Sequence, residues 1–223
     1  MFKRFILFVF FFLFLFSQHF HLLAQQRTLP QFKIIPRKAW GWTPPPFTLK
    51  PQKIKRITIH HGGILFTKDE DPVKYIRHLQ EWSRAKKHWM DIPYHYMIDL
   101  DGNIYEAREL KYPGDTNTTY NPRGHALICV MGNYEIQKPT QRQIDALAWL
   151  CARLALKYHV PLDSIKAHKD YAETQCPGKN LYKYLQDGTL KKEIKAYERL
   201  DKQESVVPQK PVLRTNNKNK TDK

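Results

Sequence analysis

Cysteine is scarce: the 223 residues hold three, Cys129, Cys151 and Cys176, far apart and without a Cys-x-x-Cys pair. That excludes a disulfide-built scaffold and a zinc finger made of paired knuckles, so a bound metal would need other residue types as ligands too. Acid is also short, with 21 Asp and Glu against 37 Lys and Arg and a formal net charge of +16. Beyond the first two dozen residues no apolar run approaches the roughly 20 residues that cross a bilayer as a helix, which excludes a polytopic membrane protein. There is no internal repeat, and no helix-turn-helix, RNP-like aromatic strand or zinc-knuckle spacing, so nucleic acid is not an expected partner. Phenylalanine is nearly confined to one place: nine of the twelve fall within the first twenty residues, leaving Tyr and Trp to carry the aromatic content of the rest.

That place reads as an export signal. Lys3 and Arg4 precede an unbroken apolar run from Phe5 to Phe16, followed by a polar patch and Leu22-Leu23-Ala24. The pattern predicts a signal peptide over residues 1–24 with cleavage after Ala24, and so a periplasmic or secreted protein; an uncleaved membrane anchor is the alternative. Losing Lys3 and Arg4 leaves the mature chain strongly basic. Outside the cytoplasm such a chain concentrates near cell-wall polymers and lipid headgroups.

What remains divides by composition. Residues 25–52 are Pro- and Gln-rich and contain PRKAWGWTPPP, a lead-in segment expected to pack through Trp40 or Trp42. The domain proper is expected over 53–200. Ile57 to His60 alternate as a strand that ends at Gly62-Gly63. Asp71-Pro72 opens a helix with the stripe Val73, Ile76, Leu79 and Trp82. Tyr94 to Leu100, the Asp101-Gly102 turn and Asn103 to Glu106 form a hairpin. Ala126 to Met131 is a buried strand, and Thr140 with Gln143 makes a capping box for a long helix closed by Pro161. A loop from His168 to Gly178 leads to a last helix over about Leu181 to Leu200, and residues 201–223 form a basic, disordered tail. Strands interspersed with helices predict an α/β fold, a single domain with one mixed central sheet flanked by helices.

The chemistry-bearing residues sit at the joints of this plan. His168 and Cys176 share one loop and can converge on a point, with imidazole nitrogen and thiolate sulfur suited to tetrahedral zinc. A catalytic zinc site takes three protein ligands, and His60, at the C-terminal end of a strand beside a Gly-Gly turn, stands where active-site residues of open α/β sheets collect.

Four strings, ITIHHGG (57–63), DIPYHYMIDLDGNIYEARE (91–109), ALICVMGNY (126–134) and AHKDYAETQCPG (167–178), occur in an order and spacing that resemble the zinc-dependent N-acetylmuramoyl-L-alanine amidases, which share a fold with peptidoglycan recognition proteins. PRKAWGW resembles the segment that opens that domain, so the similarity covers about residues 34–185. The resemblance implies a zinc in a surface groove, one per chain, and hydrolysis of the amide between N-acetylmuramic acid and L-alanine. It implies His60, His168 and Cys176 as metal ligands, Tyr94 as the catalytic tyrosine and Thr174 as an assisting residue. One departure stands out: a branch of the family has a catalytic Glu in the strand matching 126–131, and Cys129, Val130 and Met131 offer none.

The remaining histidines are expected to be structural or solvated. His61 and His95 should point to the faces opposite His60 and Tyr94. His125 is left open as a possible groove residue. Cys129 and Cys151 read as buried thiols, with a disulfide between them as the alternative in an exported protein. The expected partner is peptidoglycan or its soluble muropeptides, bound by a monomer. A peptidoglycan-binding recognition module without hydrolysis, and a wall enzyme delivered to other cells, are the competing readings.

Overall fold

The computed structural model describes residues 29–206, so the expected signal peptide and residues 207–223 of the expected tail lie outside the described residues, while 201–206 of that tail continue the last helix. From Phe32 the described chain forms one compact unit, which starts ahead of the Lys53 boundary read from composition. The lead-in residues supply β1 (Ile34–Ile35) and a 3-10 turn, Arg37–Trp40. Trp40 is fully buried and donates its indole N–H to the Glu106 carbonyl at 2.7 Å, while Trp42 donates to Asp91 Oδ2 at 2.7 Å. Both tryptophans therefore anchor the segment, because an indole buries a large apolar area once its single N–H finds an acceptor.

The other strands are β2 (Arg56–His61), β3 (Tyr96–Ile98), β4 (Ile104–Glu106), β5 (His125–Val130) and β6 (Ile165–Ala167), in the sheet order β1-β4-β3-β5-β2-β6. Only the β3–β4 hairpin is antiparallel; the pairs β1–β4, β3–β5, β5–β2 and β2–β6 are parallel. The sheet is thus mixed, and the long parallel connections carry the helices.

Helix α1 (Pro72–Lys87) is capped by Asp71, whose carboxylate accepts from the amides of Val73 and Lys74, with Pro72 at the first helical position. It covers the sheet face made by Met97, Tyr105 and Cys129, and the core there joins Ile76, Trp40, Phe66, Ile92 and Met131. Helix α2 (Gln141–Tyr158) carries the Thr140 capping box and packs against β2, β3 and β5 on the other face. The last helix of the sequence reading is two: α3 (Lys179–Gln186) and α4 (Thr189–Val206), broken at Asp187-Gly188, where Gly188 takes φ +78°. Because α4 packs along the outside of α2, the side chains of α2 from Gln143 through Ala152 are buried all round, not on one stripe. Cys129 and Cys151 are buried and free, which removes the disulfide alternative. No helix among the described residues is long and apolar enough to cross a membrane.

Candidate metal centre

Sheet register assembles the site. β2 and β6 run parallel with Ile59 opposite Ala167, so His60 and His168, each the next residue, emerge side by side at the C-terminal ends of adjacent strands. Their rings lie 4.5 Å apart between centroids. Cys176 returns to the same point because its loop is pinned at both ends: the Lys169 amide donates to the Cys176 carbonyl at 3.0 Å, and the Asn180 amide to the Tyr134 carbonyl at 2.9 Å. Gly178 makes that return possible, since at φ +85° a Cβ would lie 2.3 Å from the Tyr134 carbonyl carbon. One nitrogen of each histidine and the Cys176 sulfur all lie within 4.8 Å of one another.

The donor set fits zinc on chemical grounds. Burial, with the neighbouring imidazole second, holds His60 well below the ordinary histidine range, and burial pushes His168 down to about 4. Both rings are therefore neutral at pH 7, with a lone pair to give. Burial pushes the Cys176 thiol up to about 12, against the pull of the His61 amide, which donates to its sulfur at 3.4 Å. A sulfur so enclosed ionises only beside a compensating cation, and a coordinated dication is one. His60 Nδ1 is 3.6 Å from Cys176 Sγ while its Nε2 faces the Tyr120 hydroxyl at 3.4 Å. His60 thus offers Nδ1 to the cluster.

Tyr94 flanks this cluster, its ring 5.2 Å from that of His60, and burial raises its phenol well above the usual value, so it is a neutral donor. Thr174 lies two residues before Cys176 and accepts the Cys176 amide at Oγ1, 3.2 Å. All five residues singled out from the sequence line one groove of about 560 Å³. A second hollow of about 650 Å³, between β6 and the helices α3 and α4, contains none of them.

The structure adds residues that the sequence reading left out. Trp82 and Trp89 line the groove as an edge-to-face pair with centroids 6.1 Å apart. Trp82 was expected on the core stripe of α1, yet it is 42% exposed and forms the groove wall. His61, expected to pack against the opposite face, also lines the groove at the end of β2; its Nδ1 accepts the Tyr134 amide at 3.2 Å. His125 is settled as a buried residue, with Nδ1 2.7 Å from the Thr58 hydroxyl. Thr116 and Thr118 come from the polar stretch between β4 and β5, which carries no periodic pattern or motif. Arg108, fully buried, holds that loop by an ion pair to Asp115 and by hydrogen bonds to the carbonyls of Asp91, Ile92 and Pro113. No Lys or Arg lines the groove among the described residues.

Comparison with known proteins agrees with this geometry. The chain is 28% identical over 169 residues to peptidoglycan-recognition protein SD of Drosophila simulans, covering 74% of this chain and 88% of that protein. The crystal structure of Drosophila peptidoglycan recognition protein SD superposes with a TM-score of 0.64 at 26% identity, over 70% of this chain and 94% of that one. Peptidoglycan recognition protein LE, solved in complex with tracheal cytotoxin, superposes with a TM-score of 0.62 at 28% identity, over 69% and 92% of the two chains. The family described as N-acetylmuramoyl-L-alanine amidase matches residues 50–179, a span that contains His60, His168, Cys176, Tyr94 and Thr174, and the chain belongs to that family.

Proposed function

We propose that this protein is a zinc-dependent N-acetylmuramoyl-L-alanine amidase that hydrolyses the bond between the lactyl group of N-acetylmuramic acid and L-alanine in peptidoglycan. The observation that carries the reading is the convergence of His60, His168 and Cys176 within 4.8 Å in the groove that also holds Tyr94. When bound, zinc lowers the pKa of water to make a nucleophile at neutral pH and polarises the scissile carbonyl. His60, His168 and Cys176 would hold it, leaving the fourth position to the reaction.

The chain's own groups do the rest. Tyr94, kept protonated by burial, donates a hydrogen bond to the oxygen that gains charge as the carbonyl carbon becomes tetrahedral. Thr174 already accepts the Cys176 amide, so its hydroxyl hydrogen is directed away from that bond and is available to the substrate. Cys129, Val130 and Met131 on and after β5 are 0% exposed, so proton handling falls to groups outside that strand. The aromatic groove wall excludes water from one side of the reacting amide. The apolar N-terminal run behind Lys3 and Arg4 supports export to where peptidoglycan lies.

Recognition without hydrolysis is the reading suggested by the names of the relatives, but recognition alone does not require three metal ligands and a buried phenol at one point. Release of new L-alanine amino termini from purified peptidoglycan, with and without added zinc and beside His60→Ala, separates the two. Zinc-dependent release that His60→Ala lacks is the expected outcome; undiminished wall binding with no release by either protein would overturn the amidase.

A further inference from the structure

His168 reaches the metal centre from a short 3-10 turn, His168–Asp170, and a ring on such a turn needs a second contact to hold its plane. That contact comes from the far side of the groove. His168 Nε2 lies 2.7 Å from Thr118 Oγ1 and 3.3 Å from Thr116 Oγ1. The two hydroxyl oxygens are 2.8 Å apart, and the Thr118 amide donates to Thr116 Oγ1 at 3.1 Å. The loop bearing them is tied down by the Asp115–Arg108 ion pair and by the Asp115 amide, which donates to the Pro93 carbonyl at 3.3 Å.

We infer that Thr118 is the positioning residue for the metal ligand His168: its hydroxyl oxygen accepts the Nε2 hydrogen, selects that tautomer and so presents Nδ1 to the metal. The inference rests on the zinc reading above. Hydrogen-bond polarity then follows along the chain. With its oxygen accepting from His168, Thr118 passes its own hydrogen to Thr116, and Thr116, already accepting that hydrogen and the Thr118 amide, is left to donate outward. Both threonines line the groove, so the outward hydroxyl of Thr116 faces the substrate side. The arrangement matches His60, whose Nε2 faces Tyr120 while Nδ1 faces Cys176. A hydroxyl is a good partner here because it accepts without adding charge, so the thiolate alone offsets the dication. Outer-shell partners of this kind govern how tightly a site holds its metal.

The test uses Thr118→Val, which keeps the shape and removes the acceptor, and Thr118→Ser, which keeps the acceptor. Zinc affinity is measured by competition against a chromogenic chelator on metal-free full-length protein, with metal-free melting temperatures as a check on folding. Thr118→Val is expected to weaken zinc binding by about ten- to a hundredfold while Thr118→Ser stays close to the parent. In cobalt-substituted protein, Thr118→Val should also shift the visible ligand-field bands, a signature that loss of packing elsewhere does not produce. If the parent binds zinc and Thr118→Val binds it equally, or if Val and Ser weaken it alike, the role of Thr118 is overturned while the zinc reading stands. If the parent itself takes up no zinc, both fall.

Discussion

Tyr94 and His95 are neighbours in sequence and opposites in role. Tyr94 lies beside His60 with a protonated hydroxyl, whereas His95 is fully buried with both nitrogens spoken for: Nδ1 accepts the Leu127 amide at 2.8 Å, and Nε2 donates to the Tyr112 carbonyl at 2.9 Å. Tyr94→Phe removes only the donor, so turnover should fall about 10²- to 10³-fold, the usual loss for one oxyanion donor. Zinc content and wall binding should stay unchanged; equal turnover by the two proteins would remove Tyr94 from the chemistry. His95 predicts a pH effect on stability. Burial lowers it from 6.5 to about 3, since the charged ring would lose its hydration in the core. The folded value is depressed, so its contribution is complete above the unfolded value of 6.5 and is lost as pH falls from there toward 3. That linkage is on the order of 5 kcal/mol across the window. In urea denaturation between pH 7 and pH 4, His95→Asn should show a shallower fall in stability than the parent, and parallel curves would refute the assignment.

At the scale of elements, α1 matters beyond its core stripe, since Leu79 and Trp82 on it form a wall of the groove. Its start is set by Asp71, whose carboxylate takes the Val73 amide at 2.8 Å and the Lys74 amide at 3.3 Å. Asp71→Ala should cost about 1 kcal/mol of stability, and Asp71→Asn clearly less, because the amide oxygen still caps. Chemical denaturation measures both, and identical losses would mean that the cap bond contributes nothing. The Asp71-Pro72 signal, the Thr140 capping box and the Asp101-Gly102 turn are local, and each element they predict is present. β1 and β6 have two and three residues, too short for a periodic pattern, and they exist because existing strands offer them a free edge. The α3–α4 break was equally hidden, for Asp187-Gly188 sits inside a stretch of otherwise good helix formers.

For the whole molecule, the metal would join the end of β2 to the loop after β6, parts of the chain more than a hundred residues apart. A ligand that binds only the folded state stabilises it by mass action, about 4 kcal/mol when its free concentration is a thousand times Kd. For a chain of this size, stripping the metal with a chelator should lower the melting temperature by on the order of 10 °C, restored by zinc. His60→Ala should melt low and ignore both reagents; a parent melting temperature indifferent to the chelator would refute the link. The chain has a formal net charge of +16, yet the groove carries Glu70 and Asp115 but no Lys or Arg among the described residues.

Element types were legible wherever a cap, a turn pair or a period of two or three to four residues was present, since these are decided by neighbours in the chain. The candidate donor set, two imidazoles and a thiol, was legible in the same ordered strings. Tertiary structure decided the rest. Parallel register set His60 beside His168, the end of β2 turned His61 into the groove, α4 buried the outer side of α2, and a polar loop held by Arg108 delivered Thr118 to His168. Each of these depends on which distant segment lies alongside, and a side chain's direction at a strand end or in a loop follows from that neighbour, not from its place in the chain.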